Sequence, residues 1–296
     1  MLASIGKLNR HQEKMAYVFI TPTLLLFAIF TVIPVVMALY LSFTNYDVLS
    51  RMDWVALDNY QRLFKDGLYW TTFKNVIFYS IIFVPLNILL SLGMAMLMNF
   101  KRFGIRLFRT MNYLPTLTSA VAAATVWIWL LHPEFGLVNN MLGWFGITGP
   151  AWLAQTETAM PSIIMVTLWQ SIGSNMVIYI AGLQGVPDYL YESAKLDGAS
   201  AFARFRYITW PQLRPTTFLI STMAIIGALQ LFDQAFVLTQ GGPGNVTKTP
   251  VYLIYQQGFK QLQMGYASAQ AFVLAIAILI FSLINMRINK AEEPVV

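Results

Sequence analysis

Long apolar runs separated by short polar connections set the pattern of this chain. A helix needs about 20 mostly apolar residues to cross a hydrocarbon core of roughly 30 Å. Six segments meet that length, at about 15–43, 72–100, 109–131, 159–184, 215–238 and 266–288, and they predict an all-α membrane protein with six transmembrane helices. Pro22, Pro34, Pro85, Pro115 and Pro161 fall inside these runs. Such prolines break isolated soluble helices, whereas packed neighbours in a membrane satisfy the freed carbonyls, so kinked spans are expected. Lys7, Arg10 and Lys14 precede the first run in the manner of a secretory signal, but the run is too long for one and no small-residue cleavage site follows it. The expected organisation is a tail over 1–14, one six-span domain over 15–288 and a second tail over 289–296.

The polar connections orient the spans. Of the 19 lysines and arginines, 13 fall in the two tails, the adjoining end of the last run at Arg287, the 101–109 turn and the 185–214 loop. The opposite side keeps Arg51, Arg62, Lys65, Lys74, Lys248 and Lys260, with Asp47, Asp53, Asp58 and Asp66 in its first loop. Cytoplasmic connections carry the basic excess, so both termini are expected in the cytoplasm. Composition agrees: 57% of residues are apolar and 11% charged, against about 25% charged in soluble domains. That excludes an ordinary soluble domain and intrinsic disorder. The net charge of +6 is read as a topology signal rather than a nucleic-acid footprint, because the basic residues are scattered between apolar runs. Without cysteine there is no disulfide, thiolate nucleophile or Cys-ligated zinc. His11 and His132 are expected near opposite faces of the bilayer, too far apart to cooperate, so no metal site is expected.

The 185–214 loop stands apart as the longest cytoplasmic connection. Pro187 suits a first helical turn, Asp188 and Glu192 favour its positive end, Gly198 permits a bend, and Pro211 stops a second short helix. Leu190, Ala194, Ala201, Phe205 and Ile208 fall near helical spacing, giving each short helix an apolar stripe that needs a partner. Glu192-Ser193-Ala194, Asp197-Gly198-Ala199, Phe205, Ile208 and Pro211-x-Leu213 closely resemble the EAA loop of binding-protein-dependent ABC importer permeases. Leu57-Asp58-Asn59-Tyr60, Leu114-Pro115, Gly136-Leu137-Val138-Asn139, Ala181-Gly182-Leu183-Gln184, Gly241-Gly242-Pro243 and Gly265-Tyr266-Ala267 extend the likeness. Over nearly its whole length the chain resembles the carbohydrate-uptake (maltose- and glycerol-phosphate-type) branch of that family. Ser193 departs from the usual Ala, but its small side chain should preserve close docking.

The resemblance implies a type I ABC importer permease fold in the bacterial inner membrane. It implies a second homologous permease, two cytoplasmic ATPase subunits, an extracytoplasmic binding protein and a sugar substrate. The EAA residues would sit in a cleft on the ATPase, and Gly241, Gly242 and Pro243 would meet the binding protein. No G-x-x-x-x-G-K-[ST] run, H-E-x-x-H or G-x-S-x-G elbow is present, so the chain is not expected to be an enzyme or to bind a cofactor. ATP and magnesium would belong to the partner ATPase. Within the spans, polar side chains are few and costly. Trp169, Gln170 and Asn175 in the fourth run and Gln230 and Asp233 in the fifth are the candidate substrate path, Gln230 and Asp233 forming a stripe at i, i+3. Asn75, Asn87 and Asn99 are read as interhelical or interfacial. An ion-coupled secondary transporter using Asp233 is the alternative, but it predicts inverted repeats and further buried ionisable groups, and neither is visible.

Overall fold

The computed structural model describes residues 2–49, 51–100 and 103–290, with the backbone alone at 2–11, 13 and 288–290. Lys101, Arg102 and the end of the 289–296 tail lie outside the described residues, as do the side chains of Lys7, Arg10, His11 and Lys290. In chain order, α1 (Leu2–Phe27) passes through a π-helical turn (Ala28–Val32) into α2 (Ile33–Leu41). Next come α3 (Asp58–Lys65), α4 (Gly67–Met98), α5 (Ile105–Leu117), α6 (Ala120–Leu130), α7 (Leu137–Trp144) and α8 (Thr156–Gln184). Then α9 (Asp188–Leu196), α10 (Ala201–Arg204), a π turn (Phe205–Thr209), α11 (Trp210–Gln212), α12 (Arg214–Leu229) and α13 (Asp233–Thr239) follow. Finally α14 (Pro250–Tyr255) leads through a third π turn (Gln256–Lys260) to α15 (Met264–Lys290). The described residues form no β-sheet, only one isolated bridge, Thr44 to Trp54.

Among the described residues, four helical stretches are long and apolar enough to cross a membrane: Lys14–Leu41, Gly67–Met98, Thr156–Gln184 and Met264–Arg287. The other two expected spans are bent pairs. The 109–131 run divides into α5 and α6, which meet at 101°, and the 215–238 run into α12 and α13, which meet at 46°. The first break falls at Thr118 and Ser119, both extended, and not at Pro115, which α5 carries inside its last turn. Thr118 holds the break by donating its hydroxyl to the Pro115 carbonyl at 2.6 Å. Prolines 34 and 211 each follow a π turn, where Ile33 N–H reaches back to Ala28 and Trp210 N–H to Phe205. The wider turn carries the chain past a residue that has no N–H of its own to donate.

The described chain separates into two compact units. One comprises the residues up to Lys65 with Ile254–Phe272. There Asn59 donates to the Ser42 and Thr44 carbonyls at 2.9 and 2.7 Å, Phe43 stacks on Trp54, and Arg62 lies 4.0 Å from the Tyr266 ring centre. Gly265 packs so closely that a Cβ there would strike the Thr44 carbonyl, and its N–H donates to Tyr46. The other unit comprises Asp66–Leu253 and the chain from Val273. One of its apolar clusters joins Val76, Tyr79, Phe83, Ile163, Val166 and Ala228, and a second joins Leu92, Met176, Tyr179, Leu213 and Ile220. These clusters join α4, α8 and α12 into the frame that carries both candidate sites.

Candidate functional site

The 185–214 connection folds as two short helices with a fixed corner. Pro187 is the residue before α9 rather than within its first turn. Gly198 has φ +72°, the left-handed conformation in which glycine escapes the Cβ clash. Ala199 N–H donates to Ala194 at 2.8 Å and Gly198 N–H to Lys195 at 3.1 Å, closing the double-bonded helix end that such a glycine allows. Ser200 then caps α10 by accepting from Ala203 N–H at 3.2 Å. The Tyr191 hydroxyl and Thr209 Oγ1, 2.9 Å apart, tie the first helix to the π turn, while Leu213 is fully buried in the second apolar cluster. The second helix runs one residue past Pro211, because the π turn before it has already shifted the bonding register.

Glu192, Ser193, Asp197 and Gly198 are exposed, and Ala194, Ala199, Phe205, Ile208 and Pro211 are half-buried. Much of the expected apolar stripe thus turns toward the chain itself, Leu190 and Ala194 included, with only Ala201 left out in the open. The large side chains left uncovered are others: Tyr189, Leu196, Phe202 and Tyr207, Leu196 at 90% exposure. Helical spacing alone could not separate the two faces, since apolar residues occupy both.

The intramembrane candidates divide. Asn175, Gln230 and Asp233 line one cavity of about 420 Å³, together with Asn87, Ser174, Tyr79, Phe83 and Phe232. Gln230 ends α12 and Asp233 begins α13, so the expected i, i+3 stripe spans the break in the helix, and both side chains still face the same space. Asn175 donates to Asn87 Oδ1 at 2.6 Å, and Asn87, fully buried, donates to Ser171 Oγ at 2.6 Å. Asn87 is therefore interhelical, as read from its sequence, and also part of the cavity wall. Trp169 and Gln170 lie elsewhere. Trp169 meets Trp127 edge-on at 5.5 Å, and Gln170 bridges the break after α5, donating to the Thr118 carbonyl and accepting from Gln234. Tyr79, with Phe83 stacked on it at 5.0 Å, and Phe232 are the aromatic residues on the cavity, and none stood out among the many apolar residues of its run.

The segment after α13 is a rigid turn. Gln240, Gly241, Gly244 and Asn245 all have positive φ. Asn75 of α4 donates to the Asn245 and Lys248 carbonyls at 2.7 and 2.9 Å, and Thr247 donates to the Gly242 carbonyl at 2.7 Å. Gly241 is buried under the Lys248 side chain, whose amine is held below the usual lysine range by that burial. Gly242 and Pro243 are half-buried, and the exposed tip is Gly244-Asn245. Among the described residues no group of three or more His, Asp or Glu could hold a metal ion, and His132 stacks on Phe135 at 3.5 Å.

A helical membrane protein with a polar cavity among its spans and a helix-corner-helix loop has the parts of a transport permease. The family model described as "Binding-protein-dependent transport system inner membrane component" matches residues 87–294, and the chain belongs to that family. It is 35% identical over 286 residues to the probable ABC transporter permease YesP of Bacillus subtilis (strain 168), covering 95% of this chain and 92% of the relative. It is 32% identical over 283 residues to the arabinooligosaccharides transport system permease AraP of Halalkalibacterium halodurans, covering 95% and 89%. The crystal structure of a bacterial ABC transporter that imports the acidic polysaccharide alginate shares the fold, with TM-score 0.86 at 24% identity over 96% of this chain and 98% of that one. The chain is an ABC importer permease with the type I fold, and nothing in these relatives supports an ion-coupled transporter.

Proposed function

We propose that the chain is one of two permease subunits of an ATP-driven importer that moves a di- or oligosaccharide, or a related glycoside or polyol, across a bacterial inner membrane. Its termini and the 185–214 loop lie in the cytoplasm, and an extracytoplasmic binding protein delivers the substrate to the other side. Two separate ATPase subunits, which bind the ATP and magnesium, close on nucleotide. The loop residues Glu192 to Ala199, with Phe205, Ile208 and Pro211, ride in a cleft on one ATPase and pass that closure to the spans. The permease pair then opens outward, accepts substrate in its cavity and returns inward after hydrolysis.

The observation that carries this reading is the fixed corner at Gly198. A pair of short helices locked at their base by Tyr191 and Thr209, and anchored through Leu213 into the frame of α8 and α12, moves as one lever rather than as a floppy loop. The saccharide reading is supported by the printed substrate of AraP and by the hydroxyl, amide and aromatic lining of the cavity. The Gly241-Gly242-Pro243 turn, held from below by Asn75, offers the binding protein a stiff docking point whose exposed tip is Gly244-Asn245.

The test is gentle extraction of the tagged chain from its native membrane, mass spectrometry of what co-purifies, and ATPase assay against a sugar panel. An ATPase, a second permease and hydrolysis raised by one sugar with its binding protein are expected. A lone chain that moves solute in liposomes under an ion gradient, with no ATPase bound, overturns the reading.

A further inference from the structure

We infer that the cavity walled by α4, α8 and the α12–α13 break selects against anionic saccharides, and that Asp233 sets this preference; the inference rests on the saccharide reading above. The charge of the wall carries it. Asp233 is exposed and lines the cavity, and among the described residues no lysine, arginine or histidine lines it with Asp233. A carboxylate or sulfonate on the substrate would therefore meet a like charge with no counter-charge among the described residues that line the cavity.

The other polar groups of the wall are neutral. Asn175 spends an N–H on Asn87, and Asn87 spends one on Ser171. The hydroxyls of Thr167 and Ser174 donate to the carbonyls of Ile163 and Ser171 in their own helix. Asn87, Asn175, Gln230 and Gln234 carry amide N–H groups as well as carbonyls, so the wall can both donate to and accept from sugar hydroxyls. None of these groups carries a positive charge, so the charge of an anion stays uncompensated there.

The experiment uses the whole complex with its second permease and ATPases, in detergent, and measures direct binding by titration calorimetry without the binding protein. The probes are arabinotriose, maltotriose, and trigalacturonate both as the free acid and as its neutral methyl ester, a pair matched in shape and differing in charge. The expected result is that the free acid binds at least about tenfold more weakly than the ester. Asp233→Asn narrows that gap to within about threefold, and Asp233→Glu restores it, which loss of packing alone would not do. Equal binding of acid and ester by the wild type, or a gap that Asp233→Asn leaves intact, overturns the charge selection while the saccharide reading stands. Failure of every trisaccharide to bind the wild type overturns the saccharide reading and this inference with it.

Discussion

Gly198 illustrates how one residue fixes the geometry of a whole loop. Its φ of +72° belongs to the left-handed region, and open space surrounds the position a Cβ would take. A substitution there is resisted by backbone strain and not by collision. Alanine costs about 1–2 kcal/mol in that conformation, enough to shift the corner between α9 and α10. Gly198→Asp adds a second carboxylate beside Asp197 on the exposed face. We expect Gly198→Asp to insert and assemble normally but to hydrolyse ATP without transport, with Gly198→Ala intermediate. The ratio of solute moved to ATP hydrolysed in proteoliposomes reads this directly, and a wild-type ratio in Gly198→Asp removes the coupling role. Asn87 makes the complementary case from the interior. It is fully buried, and its side chain both accepts from Asn175 and donates to Ser171. Asn87→Ala strands both partners, so we expect a loss of about 1–3 kcal/mol, read as a lowered thermal midpoint in detergent.

At the scale of elements, the contact between α5 and α8 depends on the absence of a side chain. A Cβ on Gly173 would strike the carbonyl oxygen of Asn112, so the two backbones touch at that point. Close approach at small residues is how helices pack where no water drives them together. Gly173→Leu should force α5 away from α8, lower the thermal midpoint, and disturb the Thr116 hydroxyl bond to Gln170 that lies one turn away. Limited proteolysis near 99–104 should then speed up; an unchanged rate together with an unchanged midpoint would show that the contact is dispensable. The same contact shows where sequence reading stops. The runs 72–100, 159–184 and 266–288 become Gly67–Met98, Thr156–Gln184 and Met264–Lys290, because length and hydropathy alone decide a continuous span. The break at Thr118-Ser119 was not legible, since Pro115, the residue that seemed to mark it, is accommodated inside α5. The helix-corner-helix shape of the 185–214 loop was legible because its signals, Pro187, Gly198 and Pro211, are local. The cavity was legible only in part: Asn175, Gln230 and Asp233 belong to it, but which way each span is rotated depends on its neighbours, and that rotation sends Trp169 to Trp127 instead.

For the whole molecule, the open question in the topology is whether the α5–α6 pair, bent by 101°, crosses the membrane or turns back. Charge argues for crossing. Arg106 and Arg109 at the start of α5, with Lys101 and Arg102 before it, and Lys195, Arg204 and Arg206 after α8 all belong on the basic side. Since α8 is one continuous span, its two ends face opposite compartments. The turn before α5 can share a side with the loop after α8 only if α5 and α6 together cross once. The absence of cysteine makes this testable without a background to remove. Single cysteines at Phe103, Glu157 and Lys195 occupy exposed positions before α5, at the start of α8 and in α9. With a membrane-impermeant maleimide on right-side-out spheroplasts, Glu157→Cys should label in intact cells, whereas Phe103→Cys and Lys195→Cys should label only after lysis. If Phe103→Cys labels together with Glu157→Cys, the pair is a re-entrant hairpin and the span count falls by one. If Lys195→Cys labels intact and Glu157→Cys does not, the orientation is inverted. The 185–214 loop could not then reach a cytoplasmic ATPase, and the proposed path of coupling would fail at its first step.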